Sequence, residues 1–379
     1  MRVMLGGCGR AIKAEPGSWR QLAMRLPPIG RRLHPLTMWL DSLTPTPVSE
    51  LLVTYAGKHH RMLVKHESYL ASGSVKERTA IGLLWALDRQ EPLTPGTVVV
   101  ESTSGNLGIA LAHQLARIGG RLIAVIDPKT PVATRHLLLA AGATLHMVDE
   151  DDGHGGYLLT RLATVRALIA AHPGYRWTNQ YESDANPEIH ARSTGPEILC
   201  QGGPELDAIY VAVSTGGTLA GIARHVRGTG RPIRLIAVDA YASMASGPPA
   251  SRATTADARL LPGIGASRQS SFLTPQSFDA RHLVRDSDAI AMCRMLRDDT
   301  DIGVGGSAGC VLNACVTDLT SADVPARPLC LAPDDAAKYE DSIYSDEWLE
   351  QVNLADDVEA AIDRWRADGL AFKSTEPQV

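Results

Sequence analysis

From about residue 60 the chain alternates between two kinds of segment, and this alternation restricts it to few architectures. Short β-branched or apolar runs stand at 61–67, 97–100, 121–126, 144–148, 208–213 and 233–238. Between them lie stretches with apolar residues at helical spacing, at 79–89, 107–118, 132–141 and 157–171. These end at Gly119-Gly120, Gly142 and Pro173-Gly174, residue types that stop helices. Repeated strand–helix–strand units build parallel sheets covered by helices. The expected fold class is therefore α/β, with open twisted, mainly parallel sheets. Ligands in such folds bind beyond the carboxyl ends of the strands.

Four small-residue turns occupy such positions. The first is Ala71-Ser72-Gly73-Ser74-Val75-Lys76, where a lysine opens a helical run. Next come Ser102-Thr103-Ser104-Gly105-Asn106, Ser214-Thr215-Gly216-Gly217-Thr218 and Gly305-Gly306-Ser307-Ala308-Gly309. A lysine at a helix start is usually a solvated charge, and one glycine-rich turn is often an ordinary connection. All four in this order point further. Glycines let backbone N–H groups converge on an anion at a helix N-terminus, and the hydroxyls of Ser214, Thr215 and Thr218 add donors. One lysine with three such turns suits an enzyme that holds pyridoxal phosphate through an imine.

Composition excludes several other classes. A net charge of −5 argues against a general nucleic-acid or membrane surface, and no apolar stretch reaches the length of a membrane span. The first 35 residues lack the continuous apolar segment of a secretory signal. Six cysteines without C-x-x-C spacing fit a reducing cytoplasm, and the histidines carry no metal-ligand spacing, so no metal is expected.

Across residues 44–348 the chain resembles the fold-type II pyridoxal-phosphate enzymes of the cysteine synthase and cystathionine β-synthase group. It is most similar to their 2,3-diaminopropionate branch, which makes N-(2-amino-2-carboxyethyl)-L-glutamate. The strings that carry this are Glu101 to Ala110, His154 to Arg161, Asn179-Gln180-Tyr181, Leu261 to Arg268 and Tyr344 to Trp348. Ser102 stands where ordinary cysteine synthases have proline, which favours that branch.

The resemblance implies a tryptophan synthase β-like fold with two sheets flanked by helices. It implies an N-terminal arm at 1–40 and a large cofactor domain at 41–75 and 177–350. A smaller mobile domain would span 76–176, with a C-terminal helix and tail at 351–379. Lys76 would hold pyridoxal 5'-phosphate and shuttle the α-proton, and Asn106 would bond the cofactor's ring oxygen. Ser214, Thr215, Gly216, Gly217 and Thr218 would cradle its phosphate, and Ser307 would meet its pyridine nitrogen. Ser102, Thr103 and Ser104 would grip the amino acid carboxylate, while Arg161 and Tyr181 would bind or gate the second substrate. A solvated helix arginine is the plainer reading of Arg161, and simple packing that of Tyr181.

The implied reaction is β-replacement on O-phospho-L-serine with L-glutamate as nucleophile, through an aminoacrylate. The alternative is cysteine synthesis from O-acetyl- or O-phosphoserine and sulfide. The partners would be amino acids only, and the assembly a cytoplasmic homodimer serving siderophore or peptide-antibiotic synthesis. One stretch departs from the pattern. Pro333-Asp334-Asp335-Ala336-Ala337-Lys338-Tyr339 has aspartate and lysine at two positions where arginine is expected.

Overall fold

The computed structural model describes residues 43–153, 156–251, 259–321 and 324–375. The expected arm at 1–40, His154 and residues 252–258 lie outside them. The strands among the described residues are β1 (Val48–Tyr55), β2 (Lys58–His66), β3 (Val98–Ser102), β4 (Arg121–Ile126), β5 (Thr144–Met147), β6 (Tyr175–Trp177), β7 (Ala208–Ala212), β8 (Arg234–Ala240), β9 (Ala280–Val284), β10 (Pro328–Ala332) and β11 (Ala371–Ser374). They form a seven-stranded sheet in the order β11-β1-β2-β10-β7-β8-β9 and a four-stranded sheet in the order β5-β4-β3-β6. Helices flank both, so the α/β expectation holds.

The smaller sheet is parallel throughout. In the larger, β2, β10, β7, β8 and β9 run parallel, and only β1 is antiparallel to its neighbours β2 and β11. The β1–β2 hairpin turns on Ala56 and Gly57, both at positive φ (48° and 73°), as a two-residue loop matched to strand twist requires. Central strands are buried on both faces: every residue of β3 and β10 is buried. The largest apolar cluster packs β1, β2, β7, β8 and β10 against helices 286–300 and 306–318. A second cluster packs β3 and β4 against helices 76–90 and 106–116.

The C-terminal segment differs from a helix followed by a polar tail. After the helix at 355–367, β11 adds to the edge of β1, pairing Val53 with Phe372. Phe372 is buried between exposed Ala371 and Lys373. Four residues are too few to reveal that alternation in sequence.

Topology explains why distant turns meet. β2, β10 and β7 are parallel neighbours, with Cys330 of β10 paired to both Val64 and Tyr210. Their carboxyl ends therefore lie side by side. They lead into the segments bearing Lys76, Asp334 and Ser214, and β3 of the other sheet leads into Asn106.

Candidate active site

A cleft at these strand ends is lined by Lys76, Asn106, Ser214, Thr215, Gly216, Thr218, Ser307 and Asp334, with Pro333 and Gly263 completing its wall. Most of the expected cofactor residues thus come together.

Lys76 begins the helix Lys76–Gln90 and is half-buried at the cleft wall. Its backbone approach is fixed because Val75 N donates to Pro333 O at 2.9 Å. Burial pushes its amine down to about 8. Below that pH the amine is charged and cannot attack an aldehyde; above it the neutral form dominates. Reconstitution of apo-protein with pyridoxal phosphate should therefore accelerate about tenfold per pH unit below pH 8 and level off above it. Stopped-flow mixing across pH 6–10 checks this. A rate still climbing as steeply at pH 10 would contradict the lowered amine.

The Ser214–Thr218 turn leads into the helix Gly217–Thr229, whose first N–H groups have no partner within the helix. Gly216 has φ 85°, a conformation that favours glycine, and a Cβ there would strike Ser270. At Gly217 a Cβ would strike Asn186. Asn186 Nδ2 donates to Thr215 Oγ1 at 3.2 Å, and Ser270 Oγ donates to Thr215 O at 2.6 Å, so the turn is held from both sides. A close-packed glycine cradle at a helix N-terminus fits a phosphate. Gly217 does not line the cleft. Ser307 lies in the first turn of helix Gly306–Asp318 and presents a neutral hydroxyl.

Asn106 heads the helix Asn106–Ala116. Its Nδ2 donates to Asp334 Oδ2 at 2.7 Å, and its Oδ1 accepts from Lys338 Nζ at 2.8 Å. Ser102, Thr103 and Ser104 do not line this cleft. Ser102 ends β3 fully buried, its Oγ without a hydrogen-bond partner, and Thr103 Oγ1 accepts from Gly108 N at 2.8 Å. Beneath them Glu101 accepts from Thr178 Oγ1 (2.5 Å), Ser102 N (2.9 Å) and Gln180 N (3.2 Å). Burial raises Glu101 to about 7 against these hydrogen bonds.

Arg161 and Tyr181 lie outside the lining of the cleft but near one another. Arg161 is buried, not solvated: its Nε lies 3.4 Å from Asp127 Oδ2, and its Nε and Nη1 have no hydrogen-bond partner. Burial pushes the Tyr181 phenol up, while the Arg161, Arg268 and Arg259 guanidiniums pull it down. Arg268 also stacks over the Tyr181 ring at 5.2 Å.

Three neighbours were given no role by the sequence, though Gln180 and Arg268 lie in strings that carry the resemblance. Gln180 Nε2 donates to Ser102 O at 2.8 Å. His190 is buried with Nδ1 2.8 Å from Thr194 Oγ1, and its Nε2 is shared by Thr79 (3.0 Å) and Thr218 (3.3 Å). Burial, then the charges of Lys76 and Arg78, drive His190 well below the usual histidine range, so it serves as a neutral brace behind the cradle. Arg268 closes the string Leu261 to Arg268, and its place beside Tyr181 is what the sequence did not show.

The fold and the cleft define a pyridoxal-phosphate enzyme of fold type II. A family model for pyridoxal-phosphate dependent enzymes matches residues 40–331, and the chain belongs to that family. It is 38% identical over 313 residues to the N-(2-amino-2-carboxyethyl)-L-glutamate synthase of Ralstonia nicotianae, covering 83% of this chain and 91% of the relative. Among solved structures, O-ureido-L-serine synthase superposes with a TM-score of 0.72 at 27% identity, over 82% of this chain and 98% of that one. The hydrogen sulfide-producing enzyme of Fusobacterium nucleatum shares the fold, with a TM-score of 0.74 at 24% identity, over 91% of this chain and 98% of that one. Pyridoxal phosphate is the family's cofactor, and the lysine, glycine cradle and neutral serine of the cleft suit it. No helix among the described residues is long and apolar enough to cross a membrane.

Proposed function

We propose that the protein joins the β-carbon of O-phospho-L-serine to the amine of L-glutamate, giving N-(2-amino-2-carboxyethyl)-L-glutamate, a 2,3-diaminopropionate precursor. The similarity to the Ralstonia nicotianae synthase over most of both chains carries this reading. Pyridoxal phosphate, when bound, supplies the electron sink that acidifies the serine α-proton and lets the β-substituent depart. Lys76 holds the cofactor, removes the α-proton and later returns it. An amine lowered to about 8 is suited to both transfers near neutral pH. The Ser214–Thr218 cradle would hold the cofactor's phosphate, Asn106 would bond its ring oxygen and Ser307 would meet its pyridine nitrogen. The serine carboxylate would be gripped by the 102–104 turn, chiefly through hydroxyls such as Ser102 Oγ, which has no hydrogen-bond partner, because the Ser102 and Thr103 amides already donate to Glu101 Oε1 and Val125 O. The C–O bond breaks with its electron pair leaving on phosphate. The glutamate amine then forms the new C–N bond and releases a proton.

Arg161 takes a glutamate carboxylate. Its Nε is paired with Asp127 only at 3.4 Å and its buried Nη1 has no hydrogen-bond partner, so a second carboxylate can supply the acceptors this guanidinium lacks. Tyr181, near Arg161, would help bind the second substrate or gate its entry. The same reading makes the enzyme a cytoplasmic homodimer in which the smaller domain, 76–176, moves against the larger. Its product would feed a siderophore or peptide antibiotic.

The test is product mass after incubating holoenzyme with O-phospho-L-serine and an equal mixture of glutamate and sulfide, with a parallel run on O-acetyl-L-serine. A glutamate adduct formed mainly from phosphoserine is expected, whereas cysteine alone would sink the reading. Arg161→Ala should raise the KM for glutamate by about 10- to 100-fold, the worth of a hydrogen bond to a charged group. Phosphate release without glutamate should stay intact, and its loss would show that Arg161 serves the first half of the reaction instead.

A further inference from the structure

The segment that departs from the family pattern returns to the cleft. Lys338 ends a short 3-10 turn at Ala336–Lys338 whose start is capped by Asp335 Oδ1 accepting from Ala337 N at 3.1 Å. Its ammonium donates to Asn106 Oδ1 at 2.8 Å and to Gly73 O at 3.1 Å, with Ser72 O at 3.5 Å. Gly73 lies three residues before Lys76. One cation thus touches both the turn that delivers the lysine and the amide of Asn106.

The chemistry of that amide is specific. A carboxamide has one acceptor oxygen and one donor nitrogen with two protons. Lys338 can only donate, so it requires Asn106 Oδ1 on its side. Asp334 Oδ2 accepts from Asn106 Nδ2 at 2.7 Å and from Tyr339 OH at 2.6 Å, so it requires Nδ2 on the other side. Flipping the amide would oppose donor to donor and acceptor to acceptor. Together Lys338 and Asp334 fix the amide in one orientation. Nδ2 gives one proton to Asp334 and also interacts with the Tyr339 hydroxyl, while Asn106 itself lines the cleft, so the fixed orientation keeps the donor end of the amide on the Asp334 side.

We propose that Lys338 is a positioning residue for the cofactor: it orients the Asn106 amide so that an N–H faces the ring oxygen, and it clamps the Ser72-Gly73 turn that delivers Lys76. This rests on reading Lys76 and Asn106 as the cofactor's partners. Lysine suffices where arginine is expected because its contacts are three single acceptors, not the two oxygens of one carboxylate.

The experiment compares parent, Lys338→Met, Lys338→Arg, Asn106→Ala and Asn106→Ala/Lys338→Met. Each holoenzyme is stripped and titrated with pyridoxal phosphate, the visible absorption is followed against pH, and the thermal midpoint of each apo-protein is measured. Lys338→Met should weaken cofactor binding about tenfold and shift the visible band or its pH dependence, with the apo midpoint near that of the parent. Lys338→Arg should restore most of the affinity. In the Asn106→Ala background Lys338→Met should keep only the part of its effect that passes through the Ser72-Gly73 turn, so the combined loss falls clearly short of the sum. Parent-like affinity and absorption in Lys338→Met would overturn the proposal. Full additivity in the double variant, or an apo midpoint that falls as the whole effect, would do the same. If Asn106→Ala keeps the parent's affinity, or Lys76→Ala keeps the visible band, the reading of the cleft fails instead.

Discussion

Lys76→Ala should abolish turnover, by roughly a thousandfold or more, and remove the visible absorption of the holoenzyme while leaving the fold intact. Each part has a separate cause. Turnover fails because no other amine lines the cleft among the described residues, so nothing replaces Lys76 in moving the α-proton. Absorption fails because alanine cannot form the covalent link. The fold survives because the charged amine opposes folding. A lysine lowered to about 8 destabilises the native state at pH 7, and that cost fades as pH rises from about 8 toward the ordinary lysine value. The Lys76→Ala apo-protein should therefore be no less stable than parent apo-protein at pH 7, by thermal denaturation. A small external amine such as ethylamine should restore part of the proton transfer. Parent-like turnover would remove Lys76 from the mechanism; a collapsed midpoint would recast it as structural.

How far the sequence carried this reading depends on how local each signal was. β4 is read off residues 121–126 without error, because a continuous apolar run between glycines and an aspartate is a local pattern. The helix at 106–116 and the glycine cradle at 214–218 are equally local. Non-local contacts were not legible. Asn106 and Lys338 are 232 positions apart and meet only because β3 and β10 point their carboxyl ends at the same cleft. Lys338 had been visible as a departure from the expected arginine, without a reason for it. His190 sits in a polar string whose spacing resembles any surface helix, and only its burial gives it a role; Gln180 lies in a string that carries the resemblance, but its bond to Ser102 O is not legible there. Arg161 is instructive in the other direction. A helix arginine is usually solvated, yet this one is buried against Asp127, a pairing between two segments that periodicity cannot link.

The same distinction makes Arg78 the residue whose loss should cost most in stability. It lies two positions after Lys76 and is fully buried. Its Nε donates to Glu67 Oε2 at 2.6 Å and its Nη1 to Glu197 Oε1 at 2.6 Å, while Nη2 reaches Glu197 Oε2 (2.7 Å) and Glu67 Oε1 (3.1 Å). Lys65 completes the array, donating to Glu197 Oε2 at 2.9 Å and Gln201 Oε1 at 2.8 Å. Two cations thus face two carboxylates. Burial opposes Arg78's charge, but the two glutamates outweigh it and hold the guanidinium ionised. Arg78→Met leaves buried Glu67 and partly buried Glu197 with Lys65 as their only cation, which should cost about 3–5 kcal/mol in denaturant unfolding. The loss should be larger near neutral pH than in acid, where protonating a carboxylate relieves the imbalance. Arg78→Lys keeps the charge but cannot bridge both carboxylates through paired donors, so it should fall between parent and Arg78→Met. Because Arg78 anchors the first turn of the helix that begins at Lys76, Arg78→Met holoenzyme should also bind pyridoxal phosphate more weakly. A stability change below about 1 kcal/mol would mean that the array is solvated or rearranges freely, and the lysine would then need another anchor.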